Sequence, residues 1–349
     1  MLGTRQIVIA DLEDAVIKVP SYWPLGFRRL RWTMRAGRGE RESTWRTTMA
    51  EPHWIDVKGP NGDLKALTWG PAGAPVALCL HGFPDTAYGW RKVAPRLAES
   101  GWHVVAPFMR GYAPSSIPAD GSYHVGALMH DALRVRSAAG GTERDVIIGH
   151  DWGAIAATGL AAMPDSPFAK AVIMSVPPSA AFRPLGRVPE RGRLLRELPH
   201  QLLRSWYILY FQLPWLPERS ASWVVPLLWR RWSPGYHAEE DLRHVDAAIG
   251  TPEGRRAALG PYRATMRNTR APADYADLNR LWTEAPKLPV LYLHGHDDGC
   301  ATSAFTHWTA RVLPAGSEVA VVEHAGHFLQ LEQPDKIAEL IVAFIGSPG

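Results

Sequence analysis

Val146-Ile147-Ile148-Gly149-His150-Asp151-Trp152-Gly153-Ala154-Ile155-Ala156-Ala157 is the stretch that decides the fold. A short β-branched run enters a turn and leaves it as a helix of small residues. Glycines flank the turn, one before His150 and one after Trp152. That is the layout of a nucleophile elbow, a strained strand-to-helix turn that lifts one side chain above the edge of a sheet. Serine is the usual occupant of the central position, and here it is Asp151. A carboxylate attacks an sp³ carbon and leaves an alkyl ester on the protein, where a serine would attack a carbonyl. The elbow therefore points to opening of an epoxide or displacement of a halide.

Outward from the elbow, apolar strands alternate with helices. Trp54–Val57 and Leu64–Thr68 read as a hairpin around Gly59-Pro60-Asn61-Gly62. Val76–Leu80, His103–Ala106, Val146–Ile148, Ala171–Met174, Val290–Leu293 and Val319–Val322 read as strands. Trp90–Ala98, Leu128–Ala138, Ile155–Ala162 and Lys336–Phe344 read as helices. Such alternation means right-handed crossovers and a mostly parallel sheet flanked by helices. Between Pro178 and Glu284 no strand is convincing, and Leu194–Phe211, Ala221–Arg231, Ala238–Ile249 and Glu253–Arg267 read as helices. The expected organisation is an N-terminal extension (1–48), a first part of the core (49–177), an all-helical lid after the sixth sheet strand (178–284) and a second part of the core (285–349).

Composition excludes several classes. No run approaches the roughly 18 apolar residues of a membrane span. Asp11, Glu13 and Asp14 interrupt any secretory apolar segment, and Arg28-Arg29 is not followed by one. Cys79 and Cys300 make no disulfide framework, so a reducing, cytoplasmic setting is expected. The formal charge is +4, and residues 1–48 hold nine Lys/Arg against five acids, which accounts for all of it. The remaining chain is balanced, so no basic face for nucleic acid is indicated. Residues 1–48 read either as a packing arm or as a start misplaced ahead of Met49.

Four motifs follow predicted strands, where α/β folds place their sites. They are His81-Gly82-Phe83-Pro84-Asp85, the Asp151 elbow, His294-Gly295-His296-Asp297-Asp298 and Glu323-His324-Ala325-Gly326-His327-Phe328. With Arg110-Gly111-Tyr112, they make residues 50–349 resemble the epoxide hydrolases of the α/β-hydrolase fold. The resemblance implies that Asp151 is the nucleophile and His327 the base that activates water. Asp298 is the expected orienting acid, with Asp297 as fallback. The backbone N–H groups of Phe83 and Trp152 would form the oxyanion hole. Trp206-Tyr207-Ile208-Leu209-Tyr210-Phe211-Gln212 and Pro261-Tyr262-Arg263 resemble the family's lid-tyrosine segments. Tyr207 and Tyr262 would then donate to the opening oxygen, with Tyr210 the alternative to Tyr207. Phe83, Trp152, Trp206, Tyr210, Phe211 and Phe328 are the expected pocket lining. His81 and His150 read as braces of their loops, and Arg110 as an anchor.

His294, His296 and Asp298 spell the start of a metal-ligand pattern, but Gly299 stands where a histidine should follow, so no metal and no cofactor are expected. The expected reactants are a small-molecule epoxide and water, and the oligomeric state, a homodimer included, stays open. The rival reading is a haloalkane dehalogenase using the same Asp151, His327 and Asp298. Phe83 stands where one dehalogenase group has a halide-holding Asn, whereas Trp152 and Trp206 suit a halide. No Gly-x-Ser-x-Gly occurs, which disfavours a serine hydrolase. A non-catalytic ligand receptor would have lost a member of the triad, and all three are present.

Overall fold

The computed structural model describes residues 5–9, 51–186 and 191–348. Its strands are β1 (Arg5–Ile9), β2 (His53–Val57), β3 (Leu64–Trp69), β4 (Val76–Leu80), β5 (His103–Pro107), β6 (Val146–His150), β7 (Lys170–Met174), β8 (Val290–Gly295) and β9 (Glu318–Val322). They form one sheet in the order β1-β9-β8-β7-β6-β4-β5-β3-β2. The β2/β3 and β3/β5 pairs are antiparallel and every other pair is parallel. β4, β5 and β6 are buried along their whole length, as a parallel sheet covered by helices on both faces requires. Strand β1 extends the far edge in register with β9, Arg5 opposite Glu318. The question of an alternative start at Met49 otherwise falls on residues outside those described.

The chain reverses direction across the sheet at β4, whose neighbours are β5 on one side and β6 on the other. Ligands of open α/β sheets sit beyond the carboxyl ends of the strands at such a point. The His81, Asp151, Asp298 and His327 motifs leave from β4, β6, β8 and β9 on that edge.

Between β7 and β8 the described residues contain only helices, so the insertion follows the sixth strand when β1 is left aside. Several helix boundaries differ from expectation. The expected helix Trp90–Ala98 is a 3₁₀ turn, Ala87–Trp90, capped by the Thr86 side chain, followed by a helix starting at Ala94 with Pro95 in its first turn. The expected helix Leu194–Phe211 is two, Arg191–Arg204 and Trp206–Tyr210, parted at Ser205. Glu253–Arg267 also divides, into Pro252–Ala258 and Gly260–Met266, because Pro261 has no N–H to continue the first ladder. A helix at Ala273–Leu281, absent from the sequence reading, docks on helix Val125–Ala138, where Asn279 accepts from the Gly126 N–H.

Candidate active site

The elbow forms as its residues dictate. Asp151 has φ 52° and ψ −117°, a left-handed strained conformation at the head of helix Trp152–Ala162. A Cβ on Gly149 would lie 2.2 Å from the Gly153 carbonyl oxygen, and one on Gly153 would lie 2.2 Å from that of Leu80. Only glycine permits strand and helix to approach so closely here. Asp151 is buried, and its Oδ1 accepts a 2.7 Å hydrogen bond from the Phe83 N–H. Trp152 opens the helix, so its N–H has no intrahelical acceptor.

His327 stands across from the carboxylate, its Nε2 3.8 Å from Asp151 Oδ2 and without a hydrogen-bond partner. On the other side of the ring, Nδ1–H donates to Asp298 Oδ2 at 3.0 Å. Asp298 Oδ1 accepts from the Cys300 and Ala301 N–H groups at 2.7 and 3.0 Å. Burial alone would raise the Asp298 pKa, but His327, its Nδ1–H bond and the Ala301 N–H hold it below the usual carboxylate range. Burial likewise opposes the imidazolium of His327. Asp298 outweighs it, helped by Cys300 and Asp151, and raises this histidine well above its ordinary value. Asp297 is at the surface, paired with His296 at 2.8 Å, so it is Asp298 that meets His327. His296 lies there too, apart from the buried His294, and the H-x-H-x-D residues do not converge as a ligand set.

The backbone of His327 is pinned at both ends. Its carbonyl accepts from His150 Nε2–H at 2.9 Å and the Ser175 hydroxyl at 2.8 Å, and its N–H donates to the Trp232 carbonyl at 3.0 Å. Burial lowers the His150 pKa to about 3 and that of His81 to about 4, so both rings are neutral. His81 Nε2 accepts the Met109 N–H, joining the β4 and β5 loops. Arg110 bonds Asp131 and the Ser122 carbonyl, each at 2.7 Å.

The helical insertion roofs this group with aromatic rings. Tyr262 stands edge-on to Trp152 at 4.9 Å, Phe83 at 5.4 Å and Phe211 at 5.1 Å. Its hydroxyl and the Trp152 Nε1 are buried without a hydrogen-bond partner. Tyr207 lies 5.8 Å from Tyr262, and its hydroxyl is 3.4 Å from Cys300 Sγ. Burial raises both phenols well above their ordinary pKa, so both remain donors. Tyr210 instead pairs with the Ser220 hydroxyl at 2.5 Å, and half-buried Trp206 leans on Tyr210. These two are therefore not brought into the group, because the helical turn carrying buried Tyr207 faces them elsewhere. Phe328 lies behind the site, stacked on Trp229 at 3.6 Å with His327 against its edge.

The sequence reading missed three participants. Cys300, two residues after the acid, touches Tyr207. Trp232 packs on the His327 ring at 4.9 Å, and its carbonyl also accepts from Gly299. The Ser233 hydroxyl donates to Glu332 at 2.6 Å and accepts from the Phe328 N–H at 3.1 Å. One short segment of the insertion thus clasps both the acid loop and the histidine loop. Two cavities adjoin the roof. The inner one reaches Phe83 and Phe211, and it shares Ala221, Val225, Ile249 and Arg255 with an outer one of about 180 Å³.

Comparison with known proteins bears on the fold and the family. The alpha/beta hydrolase fold family matches residues 75–334. Epoxide hydrolase A of Mycobacterium tuberculosis is 30% identical over 331 residues, covering 83% of this chain and 96% of the relative. An epoxide hydrolase of Caballeronia sordidicola is 31% identical over 323 residues, covering 82% and 91%. A solved structure, a putative epoxide hydrolase from Klebsiella pneumoniae, superposes with a TM-score of 0.71 at 21% identity, over 84% of this chain and 97% of that one. At that identity the last likeness speaks for the fold alone.

Proposed function

The chain belongs to the epoxide hydrolases of the α/β-hydrolase fold, and we propose that it converts an epoxide and water to a vicinal diol through an ester on Asp151. The observation that carries this reading is the buried Asp151 carboxylate, held by the Phe83 N–H on one oxygen and faced by the unpartnered His327 Nε2 across 3.8 Å on the other.

Asp151 Oδ2 attacks an epoxide carbon, the carbon–oxygen bond breaks, and a phenol proton from Tyr262 or Tyr207 goes to the departing alkoxide. Oδ1 becomes the ester carbonyl, already facing the Phe83 N–H. A water deprotonated by His327 adds to that carbonyl carbon, and the oxyanion is held by the Phe83 and Trp152 N–H groups. Collapse releases the diol, and the proton on His327 returns to the tyrosinate.

The raised pKa of His327 orders the two halves. Asp151 is one of the groups holding the imidazolium, and esterification removes its charge. The His327 pKa then falls, which favours the neutral ring that accepts a proton from water. Neutral His327 is the active form, so the ester accumulates increasingly as pH falls.

The test is a wild type, Asp151→Ala and His327→Gln series with an aryl epoxide, read by diol formation and intact-protein mass. Diol from the wild type and a trapped adduct on His327→Gln support the reading, and diol from Asp151→Ala would sink it. One observation keeps a second reading open: Trp152, the residue after Asp151, has a buried Nε1 without a hydrogen-bond partner, which suits a halide. Halide release from a haloalkane without diol from the epoxide would move the assignment to a dehalogenase.

A further inference from the structure

We propose that the outer face of the helical insertion docks on an anionic lipid bilayer. Eleven large apolar side chains are exposed among the described residues, and eight of them fall between Leu198 and Trp223. Leu202, Leu203, Leu209, Leu213, Trp215 and Trp223 dominate, with Leu203 75% and Trp223 67% exposed. Concentrations of this kind on a water-soluble fold mark a surface that meets another apolar phase.

Helix geometry gathers these residues on each of two helices. On helix Leu216–Trp232, positions 216, 219, 223 and 230 fall within one stripe at about 100° per residue, so Leu216, Arg219, Trp223 and Arg230 share a face. On helix Arg191–Arg204, Gln201 turns inward, bonding the Cys300 carbonyl and the Thr302 N–H, which leaves Leu198, Leu202 and Leu203 outward. The Arg219 guanidinium lies 5.0 Å over the Trp215 ring, an indole and a cation presented together.

Charge selects the occupant. Residues 196–231 hold Arg196, Arg204, Arg219, Arg230 and Arg231 against Glu197 and Glu218, a net of +3. Arg204 turns inward to donate to the Asp298 carbonyl at 2.8 Å, so four of the arginines are left to the outer face. Glu218 is already taken by Arg263 at 2.6 Å. Among the described residues none of the five arginines is paired with a carboxylate. A two-fold contact with a second copy would set this positive face against itself. An anionic bilayer answers both properties: leucine and tryptophan enter the headgroup boundary while arginines meet the phosphates. No helix among the described residues is long and apolar enough to cross a membrane, so the contact is peripheral.

The experiment is co-sedimentation of the full chain with vesicles of phosphatidylglycerol and phosphatidylcholine in equal parts, beside vesicles of phosphatidylcholine alone. Binding is expected to the mixed vesicles, falling about fivefold for each of Arg219→Glu and Arg230→Glu and at least about tenfold for Leu203→Glu/Trp223→Glu. High salt should weaken it. Thermal unfolding and turnover of a water-soluble epoxide should stay at wild-type values in these variants, which separates docking from folding and from catalysis. No binding, or equal binding to both vesicle types, overturns the proposal. So does a dimer by light scattering that the same substitutions dissolve, which would give the face to a second copy.

Discussion

Asp151, Asp298 and His327 on the core are positioned by backbone hydrogen bonds, whereas Tyr207 and Tyr262 in the roof are positioned by packing. Phe83 N–H holds Asp151, two N–H groups hold Asp298, and three bonds fix the main chain of His327. Tyr262 has ring neighbours on several sides and no partner for its hydroxyl, and Tyr207 has one weak sulfur contact. Directional bonds to the main chain leave a charged group one place to be. Edge-on ring contacts tolerate a shift of several tenths of an ångström, which suits groups that must follow an oxygen as it leaves carbon.

The sharpest way to break that contrast is Asp151→Ala, for which turnover should fall about 10⁴-fold or more, measured as initial diol rate. A smaller loss would mean that the core group is not the chemical centre. Next come the phenols. Tyr262→Phe should lower the ring-opening rate about 10²-fold in single-turnover experiments. Tyr207→Phe should cost less, because the Tyr207 hydroxyl is already engaged by Cys300. Equal losses would show that the cysteine contact does not divide their roles.

Ser233→Ala probes the clasp between the two regions. It leaves the buried Phe328 N–H and the Glu332 carboxylate each short of a partner, at a cost of about 1–3 kcal/mol in thermal or urea unfolding. An unchanged midpoint would mean that the roof does not hold the histidine loop. An effect read only in the pH dependence of stability is expected at Asp85, a buried acid that accepts from the Thr86 N–H and the Gln330 amide. Burial raises its pKa to about 8 from an ordinary 3.8, so the folded protein binds this proton more tightly than the unfolded chain does. Its contribution therefore declines as pH rises from about 4 to 8. Asp85→Asn should flatten that part of the stability–pH curve, and an unaltered slope would place the dependence on other groups.

The core was legible because its chemistry is tied to local spacing. Gly149 and Gly153 are required within five residues of one turn, and each site motif directly follows a strand that its apolar run announces. The choice of Asp298 over Asp297 rested on the family resemblance, which places the acid five residues after Leu293. The insertion was legible only in kind: its helices were expected, their breaks at Ser205 and Leu259–Gly260 were not.

The sequence by itself therefore determined strands β2 to β9 and the elbow, since strand, turn and helix constrain a side chain within a few residues. Strand β1 was not read, and the meeting of Asp151, Asp298 and His327 was expected only from the family resemblance. Only the tertiary structure decided that Tyr207 faces the site while Tyr210 turns to Ser220 and Trp206 stays with it. It alone brought Trp232 and Ser233 onto loops almost 100 residues away. Each helical residue advances about 100°, so a helix presents a different side chain with every small rotation. Which one it presents is settled by what the helix packs against.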